Sequence, residues 1–176
     1  MKDILKPVIV LASICLVVTA MLAYVNSLTK PIIIKAEKEA AAAARTEVLH
    51  EAKDFGSLDT DGLPEGVTEA YRGSGGTGYV FIIETKGYGG TIKFICGIKS
   101  DGTLEAIKTL SHTETSGVGT KVVDNNSGYR DKFAGKNDVE CRKTDVVTGA
   151  TVSSNAFKKA VETAFKAYNI VREAKA

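Results

Sequence analysis

Between Asp145 and Ser154 the chain reads Asp-Val-Val-Thr-Gly-Ala-Thr-Val-Ser-Ser, and its most regular amphipathic segment follows directly. Gly149 and Ala150 are small enough for backbone to approach a bulky ligand closely. Ser153 and Ser154 are of the residue types that cap helices. The amides of a helix's first turn lack intrahelical acceptors, and with the helix dipole they make a site for a phosphate. Thr151 then stands one or two residues ahead of that site with its hydroxyl available. The same residues also spell an ordinary turn followed by a capped helix, and composition alone leaves these two readings level.

Other chemistry is scarce. The three cysteines, Cys15, Cys96 and Cys141, form no C-x-x-C pair, and His50 and His112 are the two histidines, which argues against zinc or iron–sulfur ligation. Cys15 lies in an apolar run, where a lone cysteine behaves as a small hydrophobe. Whether Cys96 and Cys141 pair depends on compartment and separation, and the spacing leaves that open. Gly73-Ser74-Gly75-Gly76-Thr77-Gly78 has the spacing of a dinucleotide-binding fingerprint. It leads into a strand pattern and not a helix, so it reads as a turn. A net charge of +2 without a Lys/Arg cluster argues against a nucleic-acid partner.

The stretch Asp145-x-x-Thr148-Gly149-Ala150-Thr151 resembles the flavinylation motif of the FMN-binding domain family. That resemblance implies an FMN joined to Thr151 through a phosphoester, attached from FAD by a dedicated flavin transferase. Asp145 would serve recognition or attachment. Thr148, Gly149 and Ala150 would shape the pocket, and Ser153 and Ser154 would lie at the phosphate. A second stretch, His112-Thr113-Glu114-Thr115-Ser116-Gly117-Val118-Gly119, is similar to the family's H-x-E-T-P-G-L-G loop beside the flavin. Ser116 replaces its proline and Val118 its leucine, and the missing proline leaves the loop backbone less predetermined. The resemblance implies that Glu114 and Thr115 offer polar contacts to the ring edge. Gly117 belongs to the same flavin loop, and His112, alone a structural histidine, is structural or flavin-adjacent within it.

Several elements must position these residues. Pro7 to Thr29 carries no charge, and Val8–Val25 is almost wholly apolar, long enough to span a bilayer and longer than the core of a cleaved signal. Lys2 and Lys6 before it and Lys30, Lys35 and Lys38 after it leave its orientation undecided. Thr29-Lys30-Pro31 reads as a helix start. Ala36–Ala52 is strongly helix-forming, either as a stalk or as a helix packed on the domain, with His50 on its surface. Gly56–Gly66 reads as loop. Tyr79–Thr85, Thr91–Ile98 and Leu104–Leu110 read as strands, the last two joined through Asp101-Gly102. Ser154–Val171 carries Phe157, Ala160, Val161, Ala164, Phe165, Tyr168 and Val171 at helical spacing. The expected class is α+β: a transmembrane anchor over 1–29, a helical stalk over 30–55, and an antiparallel-sheet FMN-binding domain over 56–176 closed by an amphipathic helix.

Taken whole, the layout resembles the RnfG family, the G component of the Rnf ion-translocating oxidoreductases. It is more distantly similar to the C component of the sodium-pumping NADH:quinone reductase, which is usually longer. The resemblance implies a non-catalytic electron carrier working with the other Rnf membrane subunits. Its N-terminus would be cytoplasmic and its flavin domain on the outer side of the cell membrane. The rival expectations are a free-standing membrane-anchored flavoprotein and a cofactor-free tethered binding module.

Overall fold

The computed structural model describes residues 2–174; Met1 and residues 175–176, the ends of the expected anchor and domain, lie outside the described residues. Helix α1 spans Lys2–Val48. It is followed by strands β1 (Phe55–Leu58), β2 (Val67–Gly73), β3 (Gly78–Lys86), β4 (Thr91–Lys99) and β5 (Leu104–His112). Short helices α2 (Thr120–Val123) and α3 (Asp138–Arg142) precede the closing helix α4 (Thr151–Glu173). The chain divides into two compact units, Met1–Glu39 and Ala40–Ala176.

The described residues of the first unit are all helical. Val8 through Ile34 present large apolar side chains around the helix, each well exposed, and the helix is long and apolar enough to cross a membrane. The expected helix start at Thr29 is not one. The helix continues through Pro31, and Thr29 Oγ1 donates 3.1 Å back to the carbonyl of Val25, as an interior threonine does. Pro31 removes one intrahelical donor and crowds the carbonyl four residues back, a local cost that the long helix on either side outweighs.

The second unit is built on a five-stranded antiparallel meander in the order β1-β2-β3-β4-β5. Its central strands are covered on both faces, which is why Tyr79–Ile83 is an unbroken apolar run and does not alternate. Tyr79, Phe81 and Ile83 turn to one face, where Phe94, Phe133 and Phe157 gather under α4. The rings of Phe94 and Phe157 meet edge to face with centroids 5.0 Å apart. Val80, Ile82 and Ile95 turn to the other face and meet Ala41, Ala44, Val48 and Leu49 at the end of α1. Each large side chain so buried contributes about 1.5–3 kcal/mol. Of the two readings of Ala36–Ala52, residues from Ala41 on follow the packed one. Gly97 permits that approach, because a Cβ there would overlap the backbone carbonyl of Val48.

Two strands were not expected. Phe55–Leu58, which runs into the predicted loop, pairs antiparallel with β2 from Phe55↔Gly73 to Leu58↔Ala70. It is a half-buried edge strand with a glycine and a serine, and such strands give little periodic signal. Its partner β2 carries Glu69 and Arg72 among half-buried neighbours, and that mixture hides its period too. Gly73–Gly78 is a tight connection between β2 and β3, in keeping with the turn expected there.

Candidate functional site

Helix α4 opens at Thr151, three residues before the predicted start. Its N-cap is Ala150 (φ −130°, ψ 36°), and no side chain caps it. The amide of Ala150 donates 3.0 Å to the carbonyl of Val147, closing a turn whose third residue is Gly149 at φ +80°. Only glycine takes that conformation without strain, so the turn delivering the chain into α4 depends on it. Intrahelical bonding resumes with the Ser154 amide, 2.9 Å from the carbonyl of Ala150. The N–H groups of Thr151, Val152 and Ser153 thus occupy the first turn, where donors have no intrahelical partner.

Ser153 and Ser154 are not caps, contrary to expectation. Both are buried and face inward. Ser154 Oγ accepts from the amide of Val147 at 3.0 Å, and Ser153 Oγ donates to Glu114 Oε2 at 3.0 Å. Thr151, two residues ahead of Ser153, is exposed.

Glu114 is the joint of the site. At 9% exposed, it accepts from the amides of Tyr88 (2.8 Å) and Gly89 (3.3 Å) through Oε1, while Oε2 takes the Ser153 hydroxyl. One carboxylate therefore binds the β3–β4 turn, the loop after β5 and the first turn of α4. Glycines make room for it: a Cβ on Gly119 would stand 2.8 Å from Glu114 Cβ, and one on Gly87 would overlap Oε1. Thr113 Oγ1 adds a bond of 3.1 Å to the carbonyl of Gly89. With both oxygens engaged inside the protein, Glu114 holds the loops together.

His112 Nδ1 accepts from the amide of Glu114 at 3.2 Å, so Nε2 carries the proton and donates to Asp124 Oδ1 at 3.1 Å. Both ring nitrogens are occupied in pinning the loop. The carbonyl of Thr115 accepts from the amides of Val118 (3.2 Å) and Gly119 (3.1 Å). Gly117, at φ +76°, donates its amide to Thr120 Oγ1 at 2.9 Å. Asp145 is exposed, and its carbonyl accepts from the Tyr129 hydroxyl at 3.0 Å. Thr148 and Gly149 are exposed, and a Cβ on Gly149 would meet nothing within 4 Å, whereas Ala150 is buried.

The two stretches singled out in the sequence are thus brought to one place, with Glu114 and Ser153 as their contact. Six large apolar side chains are exposed among described residues 40–174, and four of them, Tyr88, Val118, Val146 and Val152, lie next to the residues of this joint. Uncapped helix amides for a phosphate, an exposed hydroxyl among them and open space at Gly149 fit a flavin mononucleotide. Sequence reasoning missed Tyr88. Its signal is an aromatic isolated in Gly87-Tyr88-Gly89-Gly90, the hairpin turn between two apolar strands.

Comparison with known proteins bears on the same residues. Residues 87–166 match the FMN-binding domain model, and residues 1–48 match the RnfG N-terminal region. The chain is similar to the G component of the ion-translocating oxidoreductase complex of Shewanella piezotolerans, 30% identical over 96% of this chain and 91% of that protein. It is similar to the corresponding protein of Vibrio atlanticus, 30% identical over 96% of this chain and 92% of that one. A third likeness, 31% identical, is to the corresponding protein of Cereibacter sphaeroides, where the match spans 69% of this chain and 59% of the relative. The FMN-binding match encloses Tyr88, Glu114 and Thr151 together.

Proposed function

Because the chain belongs to the RnfG family, the G component of the ion-translocating oxidoreductase complex, we propose that it carries electrons for that complex on an FMN joined by a phosphoester to Thr151. The observation that carries the attachment site is the N-terminus of α4, where an exposed hydroxyl stands among uncapped amides. Thr151 supplies the oxygen of the ester bond. The amides of Thr151, Val152 and Ser153 face the phosphate, whose charge the helix dipole favours. Gly149 keeps the approach open, and Asp145, exposed at the start of the motif, is available to the flavin transferase that supplies FMN from FAD. The flavin, once bound, takes up and gives back one or two electrons. Glu114, His112, Thr115 and Gly117 hold the facing loop in place, Thr148 lines the turn, and Ser153 and Ser154 fix the helix end from beneath.

The anchor is assigned to residues 1–29, within the apolar first unit, and the flavin domain to the outer side of the membrane. A covalent bond suits a carrier placed where free FMN is not replenished. The partners are the other membrane subunits of the complex.

The full chain, isolated from a host that contains the transferase, is expected to leave a fluorescent band in a denaturing gel. Thr151→Ala is expected to abolish the band and Thr151→Ser to keep it. A band that survives Thr151→Ala overturns the attachment site, and a colourless parent chain overturns the carrier reading.

A further inference from the structure

Tyr88 is the most exposed large hydrophobic side chain among the described residues of the second unit, 72% exposed, whereas Tyr79, Tyr129 and Tyr168 of the same unit are at most 8% exposed. An aromatic ring left in water forgoes the burial that makes aromatics worth carrying. Its backbone, by contrast, is tightly held. The amide of Tyr88 is fixed to Glu114 Oε1, the neighbouring Gly89 amide shares that oxygen, and the Gly87 amide closes the turn on the carbonyl of Gly90 at 2.8 Å. Glu114 Oε2 in turn receives Ser153, two residues from Thr151. A single carboxylate therefore separates the Tyr88 backbone from the first turn of α4, while the ring is left largely in solvent. A rigid backbone presenting an uncovered ring is how a pre-formed contact for a planar ligand is built.

We propose that Tyr88 is the aromatic side chain that covers the isoalloxazine ring of the flavin on Thr151, stacking on it from the β3–β4 turn. The inference rests on the flavin reading and adds to it the residue that sets the ring's exposure. Val152 in that first turn, with Val118 beside Gly119 and Val146 beside Val147, is exposed, and these three would supply the apolar rim. Offset stacking of two aromatic rings is favoured over solvent on both counts, area buried and quadrupole geometry.

The contact has an optical signature independent of electron-transfer activity. A phenol ring touching an excited flavin passes it one electron, which then returns, so the emission is quenched with no net reaction. Phenylalanine stacks equally well but is much harder to oxidise. The experiment uses the full chain, flavinylated in a transferase-containing host, with attachment verified by intact mass for each variant. Tyr88→Phe is expected to raise flavin emission several-fold while leaving the ring shielded from iodide. Tyr88→Ala is expected to raise emission and also expose the ring to iodide. Because the Tyr88 side chain lies mostly in solvent, both variants are expected to melt with the parent when unflavinylated. Equal emission and iodide access in parent and Tyr88→Ala, with flavin attached to both, overturns the proposal and leaves the carrier reading intact. The same optical result with loss of the co-purifying subunits also overturns it, assigning the ring to a protein partner. A parent chain without flavin removes both.

Discussion

Ser153 Oγ lies 3.0 Å from Glu114 Oε2, a bond between the first turn of α4 and the loop after β5, 39 residues apart in sequence. Through it the hydroxyl-bearing end of one element and the loop that faces it are fixed to each other before any cofactor arrives. The consequences can be measured.

Glu114→Ala leaves two turn amides and a buried serine hydroxyl without their acceptor. An unmade bond of this kind costs about 1–3 kcal/mol per stranded group, so the variant is expected to melt several degrees below the parent. Thermal unfolding followed by circular dichroism checks this. A melting temperature equal to the parent's would show that the carboxylate does not hold the loops.

Gly119→Ala tests the same joint from the other side. The backbone at Gly119 has φ −66°, which any residue accepts, so the effect is steric alone. A methyl group 2.8 Å from Glu114 Cβ must push the carboxylate aside. Flavin loading at limiting transferase is expected to fall; unchanged loading would show that the loop yields without cost.

Thr144 is buried, and its Oγ1 has no hydrogen-bond partner in the described structure. Thr144→Val keeps the shape and removes the stranded group. It is expected to raise stability by about 1 kcal/mol, as apolar replacement of an unpaired buried hydroxyl does. A lower melting temperature would reveal a partner for that hydroxyl, such as a bound water.

The Asp101-Gly102 turn has an acid dependence. The side chain and then the amide of Thr103 donate to the Asp101 carboxylate and hold its pKa below the usual carboxylate value. A depressed folded value means the contribution is complete above the unfolded pKa of about 3.9 and is lost as pH falls through the lower folded value. Asp101→Asn is expected to flatten the stability profile below about pH 4, where urea midpoints at successive pH values read it. A slope identical to the parent's would remove Asp101 from the account.

Cys96 and Cys141 are free and buried in the core. Burial pushes the Cys141 thiol up to about 11 and the Cys96 thiol higher still. In a Cys15→Ser chain neither is expected to react with iodoacetamide at pH 8 until denaturant is added, since the thiolate is the reactive form. Rapid labelling of the native chain would contradict their placement.

The long apolar helix, the central strands, the closing helix and the turn that leads into it at Thr151 were all legible in the amino-acid order. Each is a local pattern: an uncharged apolar run, stretches rich in β-branched and aromatic residues, a helical rhythm from Phe157 to Val171, and a turn of small residues ahead of a helix. Edge strand β1 was not legible, because four half-exposed residues carry no period and owe their conformation to pairing with β2. Nor was the continuation of α1 through Pro31 legible, where a local breaker is outweighed by the helix on either side. The inward roles of Ser153 and Ser154 escaped for a related reason. A serine at a helix start looks like a cap by type, and only the approach of Glu114 and Val147 from distant parts of the chain turns it into a fastener. Tyr88 shows the same division: its turn can be read from its glycines, but its nearness to Thr151 comes from a carboxylate that the folded sheet alone places between them.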